Sequence, residues 1–292
     1  MNLYAISRYG QAALSLLQPS ASNCLFCGKG MSRGRAGGTP SWLPSSFTRL
    51  VCASCLAAIP WLIRIQCAVC GRNVSCPDCR RREAHFVCNR SAVGYDERMR
   101  SWLALYKYRG NEQLEPLFVD MLMMPLRMMA RQLREELDKR HGTKPDSWNN
   151  KLLGRRRQLP WDAIAYVPVS DERAEERGFN QAERFAGGIA GRTGLPVVDL
   201  LVRTRHSGKQ SFKTRGERIA NTKQLFALAP GAIEALRNLR KPPGPEQLLS
   251  PVRLLLIDDI YTTGSTVEAC SAAIRLHTPF PVAIYSLTWA RS

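Results

Sequence analysis

The chain has 292 residues, a formal net charge of +18 and 45% hydrophobic residues. This hydrophobic content excludes a disordered chain, and the length allows one core of about 150 residues plus a smaller module. The charge favours a polyanionic partner such as nucleic acid, although solubility alone would explain a smaller excess. Because no stretch reaches the roughly 18 apolar residues of a membrane-spanning helix, we expect no membrane insertion.

Residues 1–18 carry apolar side chains at helical spacing, which predicts a short amphipathic helix. The segment lacks the sustained apolar run, the basic start and the small-residue cleavage site of a signal peptide. We therefore expect a cytoplasmic protein.

Nine of the ten cysteines lie between Cys24 and Cys88, mostly as Cys-x-x-Cys pairs. This grouping favours metal ligation in a reducing compartment over disulfides. We expect one tetrahedral zinc ion at the first two pairs and a second zinc ion at the next two. The alternatives for the second set are a vestigial knuckle, a ligand shared with Cys88, or His85 as a ligand. The candidate ligands are Cys24, Cys27, Cys52 and Cys55, followed by Cys67, Cys70, Cys76 and Cys79.

The same segment is strongly basic. Through residue 90 the chain has 11 Lys and Arg against two acids, a net charge of +9 and half of the total. Basic groups for phosphates and aromatic faces for bases are what a sequence-tolerant single-strand binder uses. We predict DNA contacts at Arg80, Arg81 and Arg82. The aromatic residues Phe47, Trp61 and Phe86 are either stacking platforms or the core of a small module.

We divide the chain into a zinc-binding basic module (1–90), a hood or linker (91–159) and a third domain (160–292). The middle segment is predicted to contain a strand, a helix that stops at Gly110, and a Met-rich helix over 112–140. Its exposed loop is a second candidate DNA contact, through Arg155, Arg156 and Arg157.

Residues 160–292 alternate strands and helices, which is typical of a mostly parallel sheet. In such sheets ligands bind at the carboxyl edge, where the turn 170–180 and the acidic pair at 258–259 would meet. The predicted fold class is α/β, with a parallel sheet flanked by helices. The predicted strands cover residues 163–169, 196–202, 224–228, 254–257 and 282–288.

The most informative stretch is 254–266, in which an apolar strand is followed by Asp258 and Asp259, a hydroxyl-rich turn and a helix. The free N–H groups and positive dipole of a helix start suit a phosphate, and Gly264 allows close approach of the backbone. The two carboxylates suit ribose hydroxyls, directly or through a divalent cation. An ordinary strand-to-helix turn with a solvated acidic pair is the alternative.

This order of residues resembles the phosphoribosyl pyrophosphate (PRPP) signature of type I phosphoribosyltransferases. The resemblance implies that Asp258 and Asp259 bind the ribose and stabilise its charge in catalysis, with Mg accompanying PRPP. By position and charge, Ser170 and Arg173 stand where those enzymes hold pyrophosphate, and Lys209 begins a mobile lid. The loop implied to wrap the 5′-phosphate consists of Thr262, Thr263, Gly264, Ser265 and Thr266.

Nearly the whole chain is similar to the ComF family of late competence proteins. The shared motifs are the Cys-x-x-Cys pairs, Tyr-Lys-Tyr-Arg-Gly at 106–110, Glu-Arg-Gly-Phe-Asn-Gln-Ala at 176–182, Lys-Gln-Ser at 209–211 and the PRPP signature. The resemblance implies a zinc finger joined to a phosphoribosyltransferase-type domain. It also implies action with a ComFA-type DNA helicase that brings transforming single-stranded DNA into the cytoplasm, with recruitment to the membrane uptake machinery.

Three functions remain open. The favoured one is a competence-type protein that binds single-stranded DNA and PRPP or a nucleotide, because a small-metabolite enzyme has no evident need of the basic charge. The others are an active phosphoribosyltransferase with an unknown acceptor, and a sensor in which PRPP tunes DNA affinity. A glutaminase is not expected, since the chain begins Met1-Asn2-Leu3 without the catalytic cysteine of that group.

Overall fold

The computed structural model describes residues 23–31, 40–80, 83–108, 111–141, 159–204, 225–240 and 250–292. These residues belong to two compact units, Met1–Ile59 and Pro60–Ser292. Several predicted features lie outside the described residues and stay predictions. They are the helix at 1–18, the helix stop at Gly110, Arg81, Arg82, Arg155, Arg156, Arg157 and the lid that begins at Lys209.

The smaller unit contains two short helices, α1 (Ser45–Leu50) and α2 (Ala53–Ala57). Ahead of them the chain turns tightly at the first knuckle, where the Gly28 N–H donates to the Cys24 carbonyl at 2.8 Å. Phe47 is fully buried, so it is part of the core of this unit and is not a stacking platform.

The larger unit is built on a four-stranded sheet in the order β1-β6-β5-β2, with every pair of neighbours parallel. Two further strands, β3 and β4, form a separate antiparallel pair. The strands are β1 (Cys88–Gly94), β2 (Ala163–Tyr166), β3 (Leu201–Arg203), β4 (Phe226–Leu228), β5 (Val252–Tyr261) and β6 (Val282–Arg291).

The helices of this unit begin and end at residues that suit those positions. Asp96 accepts a hydrogen bond from the Met99 N–H at 2.7 Å, which caps the helix that follows it. The α-helices are α3 (Pro77–Arg80), α4 (Glu97–Tyr108), α5 (Glu115–His141), α6 (Asp171–Arg177), α7 (Gln181–Thr193), α8 (Ala232–Asn238) and α9 (Ser265–His277).

Both faces of the central strand β5 are buried, and its residues 254–257 are fully inaccessible. Leu254 and Leu256 share one core cluster with Val267 of α9. Since side chains alternate along a strand, Leu255 and Ile257 point to the opposite face. Helices α5 and α7 contact each other and the sheet strands. The predicted α/β fold, a parallel sheet flanked by helices, is therefore confirmed.

Three details differ from the sequence-based expectation. The predicted strand near 196–202 is divided: Val197 makes a single parallel bridge to Ile164 of β2, whereas Leu201–Arg203 pairs antiparallel with β4. The strand in the predicted hood instead forms a sheet edge beside β6. The turn after β2 contains a helix, α6, because Asp171–Arg177 consists mostly of good helix formers. In the described part of the chain, no helix is long and apolar enough to cross a bilayer.

Candidate functional site

A cavity of about 410 Å³ lies at the carboxyl ends of β2 and β5. The two strands run parallel with Tyr166 beside Ile257, so both chain segments leave the sheet at the same edge. Among the described residues, the charged side chains that line the cavity are two acids and four cations. They are Asp258, Asp259, Lys107, Arg173, Arg177 and Arg203.

The acidic pair is held by contacts of its own. The Asp259 N–H donates to Oδ1 of Asp258 at 2.8 Å, and the Asp259 carboxylate pairs with the Lys107 ammonium. Burial, and after it the charge of Asp259, raises the pKa of Asp258 to about 8. The ligand-free pair therefore carries less than two negative charges near neutral pH.

The loop 262–266 follows the acidic pair and leads into α9. Gly264 has a φ of +79°, which favours glycine, and is the residue before the helix. The hydroxyl of Thr263 accepts a hydrogen bond from the Ser265 N–H at 3.4 Å. Thr262, Thr263 and Ser265 are exposed, while Thr266 lines the cavity. Exposed hydroxyls at a helix start form a surface suited to phosphate.

Arg173 and Arg177 reach the cavity from α6. Arg177 donates to Gln181 at 3.0 Å and to the Tyr108 hydroxyl at 3.1 Å, and it lies over the Tyr108 ring at 5.2 Å. These contacts connect α6 to the end of α4. Ser170 precedes α6 and is not among the described residues that line the cavity.

Arg203 enters the cavity from β3 and stacks over Phe226 at 6.0 Å. Burial, and after it the positive charge of Arg173, lowers the pKa of Arg203. Because Arg173 and Arg203 repel each other, the cavity favours binding of a ligand that carries more than one negative charge.

The predicted site residues did not include Lys107, Arg177 or Arg203. The first two lie in the motifs at 106–110 and 176–182, so motif membership was a usable signal. Within these motifs, Tyr106 stacks on Phe185 with centroids 5.7 Å apart, and the Asn180 amide donates to the Val167 carbonyl at 3.1 Å. Arg203 had no comparable signal, because the position of β3 is set by its tertiary pairing.

Two groups of four cysteines lie together, with all sulfurs of a group within 4.8 Å of one another. The Cys27 and Cys52 sulfurs are 3.8 Å apart, and all ten cysteines are free thiols. Zn–S bonds of about 2.3 Å in a tetrahedron give S···S edges of about 3.8 Å. Both groups could therefore hold a zinc ion, and they contain the eight predicted ligands. The groups are Cys24, Cys27, Cys52 and Cys55, and Cys67, Cys70, Cys76 and Cys79.

The alternative ligands for the second group lie elsewhere. The Cys88 sulfur is buried against the Met129 sulfur at 3.7 Å. The backbone N–H of His85 donates to Glu268 at 3.0 Å, and its ring nitrogen Nδ1 is hydrogen bonded to the same carboxylate.

Cys270 is fully buried beside the acidic pair, and burial raises the pKa of its thiol well above its ordinary value.

Of the predicted DNA contacts, the described residues include only Arg80. It is exposed at the end of α3, and its Nη2 donates to the Ser75 hydroxyl at 3.1 Å. Phe86 is 5% exposed and belongs to the core, whereas Trp61 is half-buried. For Phe86, as for Phe47, the core alternative is the one that the structure shows.

Comparison with known proteins points to one family. Competence protein ComFC of Streptococcus pneumoniae is 25% identical over 250 residues, which cover 84% of this chain and 90% of that protein. Competence protein ComFC of Bacillus subtilis is 26% identical over 230 residues, 75% of each chain. Competence protein F of Haemophilus influenzae is 30% identical over 119 residues, 40% of this chain and 45% of that protein.

No family model matches the chain. The similarity to the two ComFC proteins nevertheless extends over most of its length. These similarities support membership of the chain in the ComF family of competence proteins.

Proposed function

We propose that this chain is a competence-type protein that binds single-stranded DNA and a phosphoribosyl ligand, PRPP or a nucleotide, during DNA uptake. One observation carries the ligand assignment: a single cavity combines two carboxylates with four cations at the carboxyl edge of a parallel sheet. The competence role is supported by relatives that are named competence proteins.

The charges of the cavity fit the two halves of PRPP. Arg173, Arg177 and Arg203 suit phosphate oxygens, since guanidinium groups donate hydrogen bonds in a planar fork. Asp258 and Asp259 suit ribose hydroxyls or the Mg²⁺ that accompanies the diphosphate. A nucleoside without phosphates would leave the cations unused, and an inorganic polyphosphate would leave the two carboxylates without hydroxyl groups to bind.

The DNA half of the proposal rests on charge. The segment through residue 90 carries half of the chain's net charge of +18, including the run Arg80, Arg81 and Arg82, and Arg155, Arg156 and Arg157 add a second basic group. Because Phe47 and Phe86 are buried, stacking on these two rings contributes nothing to DNA binding. We therefore expect binding dominated by phosphate contacts and steeply dependent on salt. A ComFA-type helicase at the membrane uptake machinery is the proposed partner of a protein in the cytoplasm.

The test is a titration of the full chain with a single-stranded oligonucleotide, with and without Mg²⁺–PRPP, at two salt concentrations. A separate calorimetric titration measures PRPP alone. We expect PRPP binding that depends on Mg²⁺, and DNA binding that weakens at the higher salt. A shift of DNA affinity with PRPP would support the sensor form of the proposal. Absence of DNA binding at low salt would overturn the DNA half.

The second candidate function is a phosphoribosyltransferase. The observation that favours it is Arg173, which lines the cavity together with Asp258 and Asp259. A nucleophilic acceptor would attack C1 of PRPP, the bond from C1 to the pyrophosphate oxygen would break, and pyrophosphate would leave with its charge met by the arginines. Pyrophosphate release in the presence of bases and amines tests this reaction. Tight PRPP binding without release would leave the binding function alone.

A further inference from the structure

The second cysteine group is built into the core next to the loop 262–266. Cys67, Cys70 and Cys76 belong to the same buried cluster as Leu254 of β5 and Val267 of α9. Strand β5 leads into the loop, and α9 leads out of it. The knuckle that carries these cysteines therefore shares its packing with both elements that flank the loop.

Arg291, at the end of β6, connects this knuckle to β5. Its Nη1 donates a hydrogen bond of 2.8 Å to the Cys70 carbonyl, and its guanidinium lies 4.7 Å from the centre of the Tyr261 ring. The sheet register places Arg291 directly beside Tyr261. Arg291 is only 6% exposed, so losing either contact would leave a buried charge poorly satisfied.

Tyr261 in turn fixes the position of the loop. Its side chain is 3% exposed, packs edge-on against Phe86 with centroids 6.4 Å apart, and fills the space behind Gly264. A Cβ atom at Gly264 would collide with the Tyr261 hydroxyl. The loop backbone therefore rests directly on this ring.

A second connection reaches the first turn of α9. The segment that follows the cysteine group includes His85, whose backbone N–H and ring both bond to the Glu268 carboxylate. Glu268 lies in the first turn of α9, the turn that follows directly on the proposed phosphate-binding loop. One chain of contacts thus leads from Cys70 through Arg291 to Tyr261, beside the loop. A second contact joins His85 to Glu268 of α9, after the loop.

We propose that the second cysteine group, through Arg291 and Tyr261, holds the loop 262–266 in its ligand-binding position, so that metal occupancy of this group sets the affinity for a phosphorylated ligand. Arg291 and Tyr261 are positioning residues in this arrangement. The inference rests on the proposed function, since it requires the loop to bind phosphate. Four thiolates in a compact group suit zinc, and the backbone carbonyl of one ligand, Cys70, is the point of contact.

The test compares Arg291→Met with the wild type in the full chain. Methionine keeps the length of the side chain but removes its charge and donors. We expect both zinc ions to be retained and the Kd for Mg²⁺–PRPP to rise about tenfold, a typical coupling between two sites. Arg291→Lys is expected to restore part of the affinity. Arg131→Met removes the same charge from an exposed position and is expected to bind like the wild type.

A second measurement begins with the wild type, so its main result does not depend on whether a variant folds. Coupling of binding free energies is reciprocal, so Mg²⁺–PRPP is expected to slow the release of one of the two zinc ions to a chelator. Arg291→Met is expected to lose this protection. Equal PRPP affinity in Arg291→Met and the wild type would overturn this inference but not the proposed function. Zinc release at the same rate with and without PRPP would do the same. A wild type that binds neither PRPP nor a nucleotide would overturn the ligand half of the proposed function and this inference with it.

Discussion

The two units of the chain hold the same four-thiolate group in different surroundings. In Met1–Ile59 the group is part of a unit of 59 residues, a size at which a hydrophobic core alone is marginal. In Pro60–Ser292 the group packs into a core that also contains the sheet and α9. The comparison predicts different roles for identical ligands: they stabilise the fold of the small unit, and in the large unit they add to the packing beside the loop 262–266.

The largest expected effect comes from Cys24→Ser, which breaks the first group. Structural zinc contributes about 10 kcal/mol or more to domains of this kind, so we expect loss of one zinc ion and unfolding of residues 1–59. Zinc analysis combined with limited proteolysis measures both outcomes. Cys88→Ser serves as the control, because Cys88 is buried outside both groups and the variant should keep its zinc. Full zinc content in Cys24→Ser would contradict the ligand assignment.

Asp259→Asn tests the larger unit at its cavity. The substitution removes a charge from the acidic pair and the partner of Lys107, so we expect PRPP affinity to fall about a hundredfold or more. Because the side chain of Lys107 is only 11% exposed and loses its partner, the melting temperature should fall, while the zinc content should stay that of the wild type. Calorimetric titration with Mg²⁺–PRPP measures the change. Unaltered PRPP affinity would show that the acidic pair does not contact the ligand.

Gly264→Ala tests the loop between the cavity and the buried Tyr261. The φ of +79° and the collision with the Tyr261 hydroxyl predict a loss of more than about 1 kcal/mol in the free energy of unfolding, together with weaker PRPP binding. Urea denaturation measures the stability change. Gly191→Ala is the matched control, because Gly191 lies within a helix with open space around it. A stable Gly264→Ala variant with normal PRPP affinity would contradict the described loop conformation.

Asp258 predicts a pH dependence of stability in the ligand-free protein. In the folded chain its carboxyl keeps a proton up to about pH 8, whereas its ordinary pKa is 3.8. Between these values the unfolded state binds fewer protons, so the free energy of unfolding falls as the pH rises. Asp258→Asn should therefore gain stability relative to the wild type between pH 5 and pH 9. Thermal melting across this range checks the prediction, and parallel pH profiles of the two proteins would refute it.

The smallest expected effect is that of replacing Arg80, Arg81 and Arg82 together by Ala. Three lost phosphate contacts on a single strand should lower the slope of log K against log salt by about 2. Fluorescence anisotropy with a labelled oligonucleotide at several salt concentrations measures the slope. The triple replacement of Arg127, Arg131 and Arg140 removes equal charge from exposed positions on α5 and should leave the slope unchanged. An unchanged slope in the first variant would place the DNA surface elsewhere.

Much of the site could be predicted because its chemistry is local in the chain. The Cys-x-x-Cys pairs bring their sulfurs together within a few residues, and the eight predicted ligands form the two observed groups. The acidic pair and the loop 262–266 follow one another directly, so the order of residue types was enough to identify a candidate site. The parallel register then brought this stretch together with Arg173.

The residues that the sequence analysis missed depend on contacts between distant segments. Lys107 reaches Asp259 across more than 150 positions, and Arg291 reaches Cys70 across more than 200. Local spacing carries no information about such pairs. The pairing of β3 with β4 was not predicted either, because a short apolar run shows that a strand exists but does not identify its partner.

The fold class, the two cysteine groups and the candidate stretch from Leu254 to Thr266 could all be read from the sequence, since each follows from periodicity or close spacing of residue types. The cations that share the cavity with Asp258 and Asp259, and the packing of the second cysteine group in the core with Tyr261, became apparent in the three-dimensional structure. The physical reason is that side-chain chemistry is encoded locally, whereas the neighbours of a buried group are set by the packing of the whole unit.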